Sequence, residues 1–210
     1  MPAIAITGGI ACGKSLVLGS LAALPPNPST FSADECAHQL LATSQEVQHS
    51  LLQHFGPSVL TEHGTVNRQT LRTRITTNPA DRRFLESILH PRIRAEWLPL
   101  AARAREVGTW FVAEIPLLFE THAHPLFDAI VTVACSPETQ TTRLSARKWS
   151  AEQIREILIA QAPLADKVQH AHFVIWTDVP IHIVGRQTAL LAESLLHTFA
   201  ERSDSDQPSR

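Results

Sequence analysis

AIAITGGIACGKSLVL, residues 3–18, joins a short apolar run to a glycine-bracketed turn and then to a helical stretch. Ala3 to Thr7, apolar and followed at once by glycines, reads as a buried strand. Gly8-Gly9-Ile10-Ala11-Cys12-Gly13-Lys14-Ser15 satisfies the pattern G-x-x-x-x-G-K-[ST] in full. Glycines let the backbone turn tightly enough for successive N–H groups to point inward at phosphate oxygens. The helix that opens near Gly13 adds its positive end, and Leu16 continues the binding segment along it. Lys14 supplies a mobile ammonium for the β- and γ-phosphates, and the Ser15 hydroxyl suits Mg²⁺, which takes few protein ligands. The segment is expected to hold ATP with Mg²⁺.

Outward from that turn, a helix over Lys14 to Leu24 is ended by Pro25 and Pro26, and a second strand is expected at Thr30 to Ser32. From Glu35 to about Arg105 leucines and isoleucines recur at helical spacing, punctuated by Asn78-Pro79 and His90-Pro91. Strands follow at Thr109 to Ile115, Ala129 to Ala134 and His172 to Trp176. A charged helical pair covers Pro137 to about Ala162, and a last helix covers Ile181 to Ala200. Five apolar strands alternating with helices make a parallel α/β sheet, which binds ligands at the C-terminal ends of its strands. Asp34 and Glu114 fall near those ends, as does the glycine turn.

With 210 residues and 44% hydrophobic content, the chain can build one core with an inserted subdomain. A net charge of -2 argues against gripping nucleic acid or a membrane surface. Cys12, Cys36 and Cys135 lie far apart without a CxxC pair, so neither a disulfide framework nor a zinc site is expected. No secretory signal or membrane span is read from the sequence, and the expectation is a cytoplasmic monomer or small homo-oligomer. The histidine pairs His122/His124 and His170/His172 lack a third ligand at suitable spacing.

Several segments together resemble the dephospho-coenzyme A kinase family: Thr7 to Ser15 (TGGIACGKS), Ser32 to Asp34 (SAD), Leu89 to Ile93 (LHPRI), Ile115 to Glu120 (IPLLFE) and Ser136 to Gln140 (SPETQ). Arg143 with Arg147, and Ala160-Gln161 ahead of Lys167, extend the likeness across nearly the whole chain. The resemblance implies a three-layer P-loop NTPase-type fold and transfer of the ATP γ-phosphate to the ribose 3′-hydroxyl of dephospho-CoA. It implies a core of residues 1–34, 107–136 and 170–200, a helical acceptor-side insertion over 35–106, a lid over 137–169, and a flexible tail at 201–210. Asp34 matches the acidic residue that meets the acceptor hydroxyl as base or orienter; a helix N-cap is its structural alternative. Arg143 matches a lid arginine that approaches the transferring phosphoryl group, with Arg147 as the second basic lid position or a solvated helix-surface residue. His90 and Arg92 sit where the family meets its acceptor, although His90-Pro91 also reads as a helix end. Pro116, Leu117 and Phe119 are expected to line the acceptor pocket, although an apolar turn packing on the core reads the same way, and Glu114 to hold a water of the Mg²⁺ shell.

The sequence departs from the family at Ala11, Cys12, Ser32, His172 and Thr177. Ala11 suits its place only at negative φ, since a positive φ costs roughly 1 kcal/mol or more. Cys12, beside a helix N-terminus and Lys14, reads either as a small residue merely replacing serine or as a reactive thiol whose modification blocks ATP binding. Two other readings share these residues. A nucleoside or nucleotide kinase has the same loop and lid, with IPLLFE and LHP against it; an ATP-binding module without turnover is suggested by Ser32, His172 and Thr177.

Overall fold

A computed structural model describes residues 2–25 and 27–205. Its five strands are β1 (Ala3–Gly8), β2 (Ser29–Ser32), β3 (Phe111–Glu114), β4 (Ala129–Ala134) and β5 (Phe173–Trp176). They form one parallel sheet in the order β2-β3-β1-β4-β5. Alternation along the strands sorts two faces. Ile4, Ile6, Val112, Val131, Val133 and Ile175 face α1 (Lys14–Ala22) and α9 (Ile181–Ser205), whose Val17, Leu21, Val184, Leu191 and Leu195 complete that core. Ala3, Ala5, Phe111, Ala113 and Ile130 face the other way. Three of these five are alanines, which leaves depth for Trp97, Ala101 and Ala104 of a long helix and for Phe127, whose ring lies 5.2 Å from that of Trp97. Helices on both faces of the sheet make the three layers.

The insertion is helical, as its leucine spacing predicts: α2 (Ala33–Thr43), α3 (Gln45–Phe55), α4 (Arg68–Thr77) and α5 (Pro79–Glu106). Ser44, Asn67 and Asn78 each accept from a first-turn backbone N–H, which sets where α3, α4 and α5 begin. Leu41, Val47, Leu51, Phe55, Leu71, Leu85 and Leu89 give the insertion its own core. His90-Pro91 does not end a helix: α5 runs through Pro91 and Pro99 for 28 residues. An interior proline costs about 3 kcal/mol; burial of Leu85, Leu89, Trp97, Ala101 and Ala104 along the same helix offsets it.

Two boundaries move. α2 starts at Ala33, so the expected core-insertion border at residue 34 falls inside a helix. The final helix continues to Ser205, so residues 201–205 of the expected tail are helical and residues 206–210 lie outside the described residues. The segment expected as a lid, residues 137–169, folds as α6 (Pro137–Ala146), α7 (Ala151–Ala160) and α8 (Leu164–Gln169). No helix among the described residues is long and apolar enough to cross a membrane.

Candidate active site

The parallel sheet brings candidate site residues together at the C-terminal ends of three neighbouring strands. Gly8, Ser32 and Glu114 end β1, β2 and β3, and register pairs Ser32 with Glu114. Gly8 has φ +140, and a Cβ there would meet the Val133 carbonyl oxygen at 2.1 Å, so only glycine fits. Gly13, at φ +91, turns the chain into α1. Ala11 lies at φ +61, contrary to the negative value its side chain favours. Its methyl is buried against Leu144 and Ile154 of the lid, and that packing offsets the left-handed backbone.

Lid side chains hold the loop through its backbone. Gln140 Nε2 donates to Ile10 O at 2.8 Å, and Gln161 Oε1 accepts from Ile10 N at 2.9 Å. Arg143 donates to Ala11 O and Thr177 Oγ1 at 3.0 Å and to Thr177 O at 2.8 Å; Thr177 Oγ1 donates to Cys12 O at 2.8 Å. Arg147 is exposed at the C-terminus of α6.

On the other side of the loop Lys14, Ser15, Glu114 and Asp34 converge. Lys14 is buried and its ammonium donates to Gly9 O at 3.0 Å. Burial pulls the Lys14 pKa down, while Asp34 and Glu114 oppose that shift. Glu114, 1% exposed, accepts from Ser15 Oγ at 3.0 Å and from Ser32 Oγ at 3.4 Å. Burial raises its pKa, Lys14 pulls it back, and Asp34 adds to the rise. One carboxylate beside one serine hydroxyl is a hard-oxygen set of the size Mg²⁺ uses. Asp34 is exposed in the first turn of α2, and Ser32, not Asp34, is the N-cap.

Asp34 also borders a cavity of about 640 Å³ beneath the insertion. Ile75, Leu85, Leu89, Ile93, Trp97 and Leu117 form its apolar wall, with His90, Arg94 and Glu120 as polar members. Burial lowers the His90 pKa, against the pull of Glu86 and Glu120. Pro116 and Leu117 line the cavity. Arg92 does not line it: its guanidinium donates to Ile88 O and pairs with Glu46 at 3.2 Å, and Arg94, two residues on, faces the space. Phe119 does not line it either, because its ring packs against His124 and His170.

An ion pair without a motif signal ties residues 137–169 to the segment after β3. Lys167, fully buried, donates to Pro116 O and to Glu120 Oε1, both at 2.8 Å. Ala162 N donates to the same Glu120 oxygen at 2.9 Å. A lysine in a short amphipathic stretch carries no sequence signal of burial; only its place after Ala160-Gln161 hints at it.

A family model described as CoaE: Dephospho-CoA kinase matches residues 2–182. The chain belongs to the dephospho-CoA kinase family. It is 36% identical over 173 residues to the dephospho-CoA kinase of Bdellovibrio bacteriovorus, covering 82% of this chain and 85% of that one. The Escherichia coli K12 dephospho-CoA kinase is 34% identical over 206 residues, 98% of each chain. The solved dephospho-CoA kinase from Campylobacter jejuni superposes with a TM-score of 0.66 at 25% identity, covering 92% of this chain and 96% of that one. As a member of this family the chain is a kinase with the P-loop fold. Its departures from the family pattern each have a structural place. Ser32 caps α2 and donates to Glu114, His172 Nδ1 accepts from Ile130 N at 3.0 Å, and Thr177 ties Arg143 to the loop.

Proposed function

We propose that the protein transfers the γ-phosphoryl group of ATP to the ribose 3′-hydroxyl of dephospho-CoA. Asp34 carries this reading: it is close enough to Lys14 and Glu114 to perturb both, and it borders the acceptor cavity. A carboxylate at that junction can accept or orient the acceptor hydroxyl proton where the phosphoryl group arrives.

The other residues divide the remaining work. Loop amides from Gly8 to Ser15, with Leu16 beyond them, cradle the phosphates, and Lys14 exchanges Gly9 O for phosphate oxygens. Ser15 and Glu114 hold Mg²⁺, which supplies charge neutralisation on the phosphates. Arg143 and Arg147 bring cations from the lid, residues 137–169, whose closure keeps water from the reaction. The apolar cavity wall takes the acceptor's extended chain, with His90 and Arg94 for its polar groups. Glu120 Oε2, buried without a hydrogen-bond partner among the described residues, accepts from an acceptor N–H or O–H.

The test is Asp34→Asn. We expect calorimetric affinities for MgATP and dephospho-CoA within about twofold of the parent, and kcat lower by about 10²–10⁴-fold. An unchanged kcat would remove Asp34 from the chemistry.

A further inference from the structure

The fold brings together two cysteines that the sequence leaves unrelated. Cys12 and Cys135 are 123 positions apart, yet the Cys135 thiol donates to Cys12 Sγ at 3.5 Å. Both lie under the phosphate cradle, 0% and 1% exposed, among Val17, Val133 and Ile175. The hydrogen bond makes the two sulfurs unlike. Donation from Cys135, assisted by Lys14 and opposed by burial, lowers the Cys12 pKa to about 7. The same hydrogen bond, with burial, pushes Cys135 up, so the proton stays there. A thiolate beside a thiol is the arrangement that oxidation converts to a disulfide.

We propose that Cys12 and Cys135 form a modification site at which a water-sized hydroperoxide makes a disulfide and so disables the phosphate loop. The Cys12 thiolate attacks one peroxide oxygen; the O–O bond breaks, and the departing hydroxide takes up a proton to give water. The Cys135 sulfur then attacks the Cys12 sulfenic sulfur and loses its proton. The S–S bond forms as the S–O bond breaks, releasing a second water. Two thiols and one hydrogen peroxide thus give one disulfide and two waters. The burial of both sulfurs restricts the oxidant to a small one.

The bond requires the loop to move. A disulfide is about 2.05 Å long, so the sulfurs must close most of the gap beyond that length. Cys12 stands between Ala11 at φ +61 and Gly13 at φ +91, whose left-handed conformations shape the cradle. Its carbonyl is also tied to Thr177. Drawing Cys12 toward the end of β4 disturbs the backbone on both sides.

The consequence for nucleotide binding rests on the proposed function, but the linkage itself does not. The full chain is treated with stoichiometric hydrogen peroxide, mapped as non-reduced peptides, and titrated with MgATP before and after dithiothreitol. We expect a Cys12–Cys135 cross-linked peptide lighter by two hydrogens, with Cys36 left unmodified. MgATP affinity should fall about tenfold or more and return on reduction, while MgATP present beforehand should slow the linkage. Cys135→Ala should bind MgATP within about twofold of the parent and resist the same treatment. Absence of the cross-link from folded, treated protein overturns the proposal. So does a cross-link that leaves MgATP affinity unchanged, or an equal loss in Cys135→Ala. If untreated protein binds no MgATP, the proposed function fails, and the peptide map still decides the linkage.

Discussion

Around the phosphate loop, side chains reach backbone atoms: Gln140 and Gln161 hold Ile10, Arg143 holds Ala11, and Thr177 holds Cys12. In the cavity proposed for the acceptor, Leu85, Leu89, Ile93, Trp97 and Leu117 offer surface and volume, with polar groups thinly spread. On the proposed function, one half fixes the position of a charged group by geometry, and the other selects a molecule by shape. Substitutions in the first half should therefore cut the rate steeply, and those in the second should change acceptor affinity by degrees.

Lys14→Ala should lower kcat/KM about 10³-fold if, as proposed, the buried ammonium meets the phosphates in the transition state. Steady-state kinetics checks this, and a loss smaller than about tenfold would blur the contrast. Glu114→Gln should cost about 10–100-fold and raise the Mg²⁺ concentration needed for half-maximal rate, since Ser15 loses its carboxylate partner. A magnesium titration separates that from simple unfolding. In the cavity, Leu117→Ala should raise the acceptor KM about tenfold at most while leaving the ATP KM and kcat close to parental values.

The thiol pair adds a pH dependence. With Cys12 brought to about 7, its reactive thiolate grows as pH rises through that value. The peroxide linkage should accelerate about tenfold between about pH 6 and pH 8, measured by quenched peptide mapping. The smallest effect belongs to Ala11→Gly. Relief of a left-handed alanine, about 1 kcal/mol, is nearly cancelled by loss of a buried methyl, about 0.8 kcal/mol. Denaturant unfolding should shift by less than about 0.5 kcal/mol.

The same contrast explains what the sequence reveals. Gly8, Gly13, Lys14 and Ser15 are legible because a phosphate cradle needs those residue types at that spacing. The strands are legible because each is a short apolar run bounded by turn signals, and the parallel sheet follows. The cavity residues are not, since Leu89 and Ile93 at helical spacing look the same facing a ligand as facing a core. Arg92 and Arg94 differ only in the direction α5 points them, and one turns to Glu46. Pro91 reads as a stop because the tertiary burial that carries α5 through it is invisible locally. Cys12 and Cys135 become neighbours only through parallel pairing of β1 with β4.

The most direct test of the account is the position of the phosphate on the product. Purified protein is incubated with MgATP and an equimolar mixture of dephospho-CoA and nucleosides, and the products are resolved by phosphorus NMR and mass spectrometry. We expect a new 3′-phosphomonoester on dephospho-CoA. Phosphorylated nucleoside in preference to it, or ATP bound with no product at all, would contradict the account.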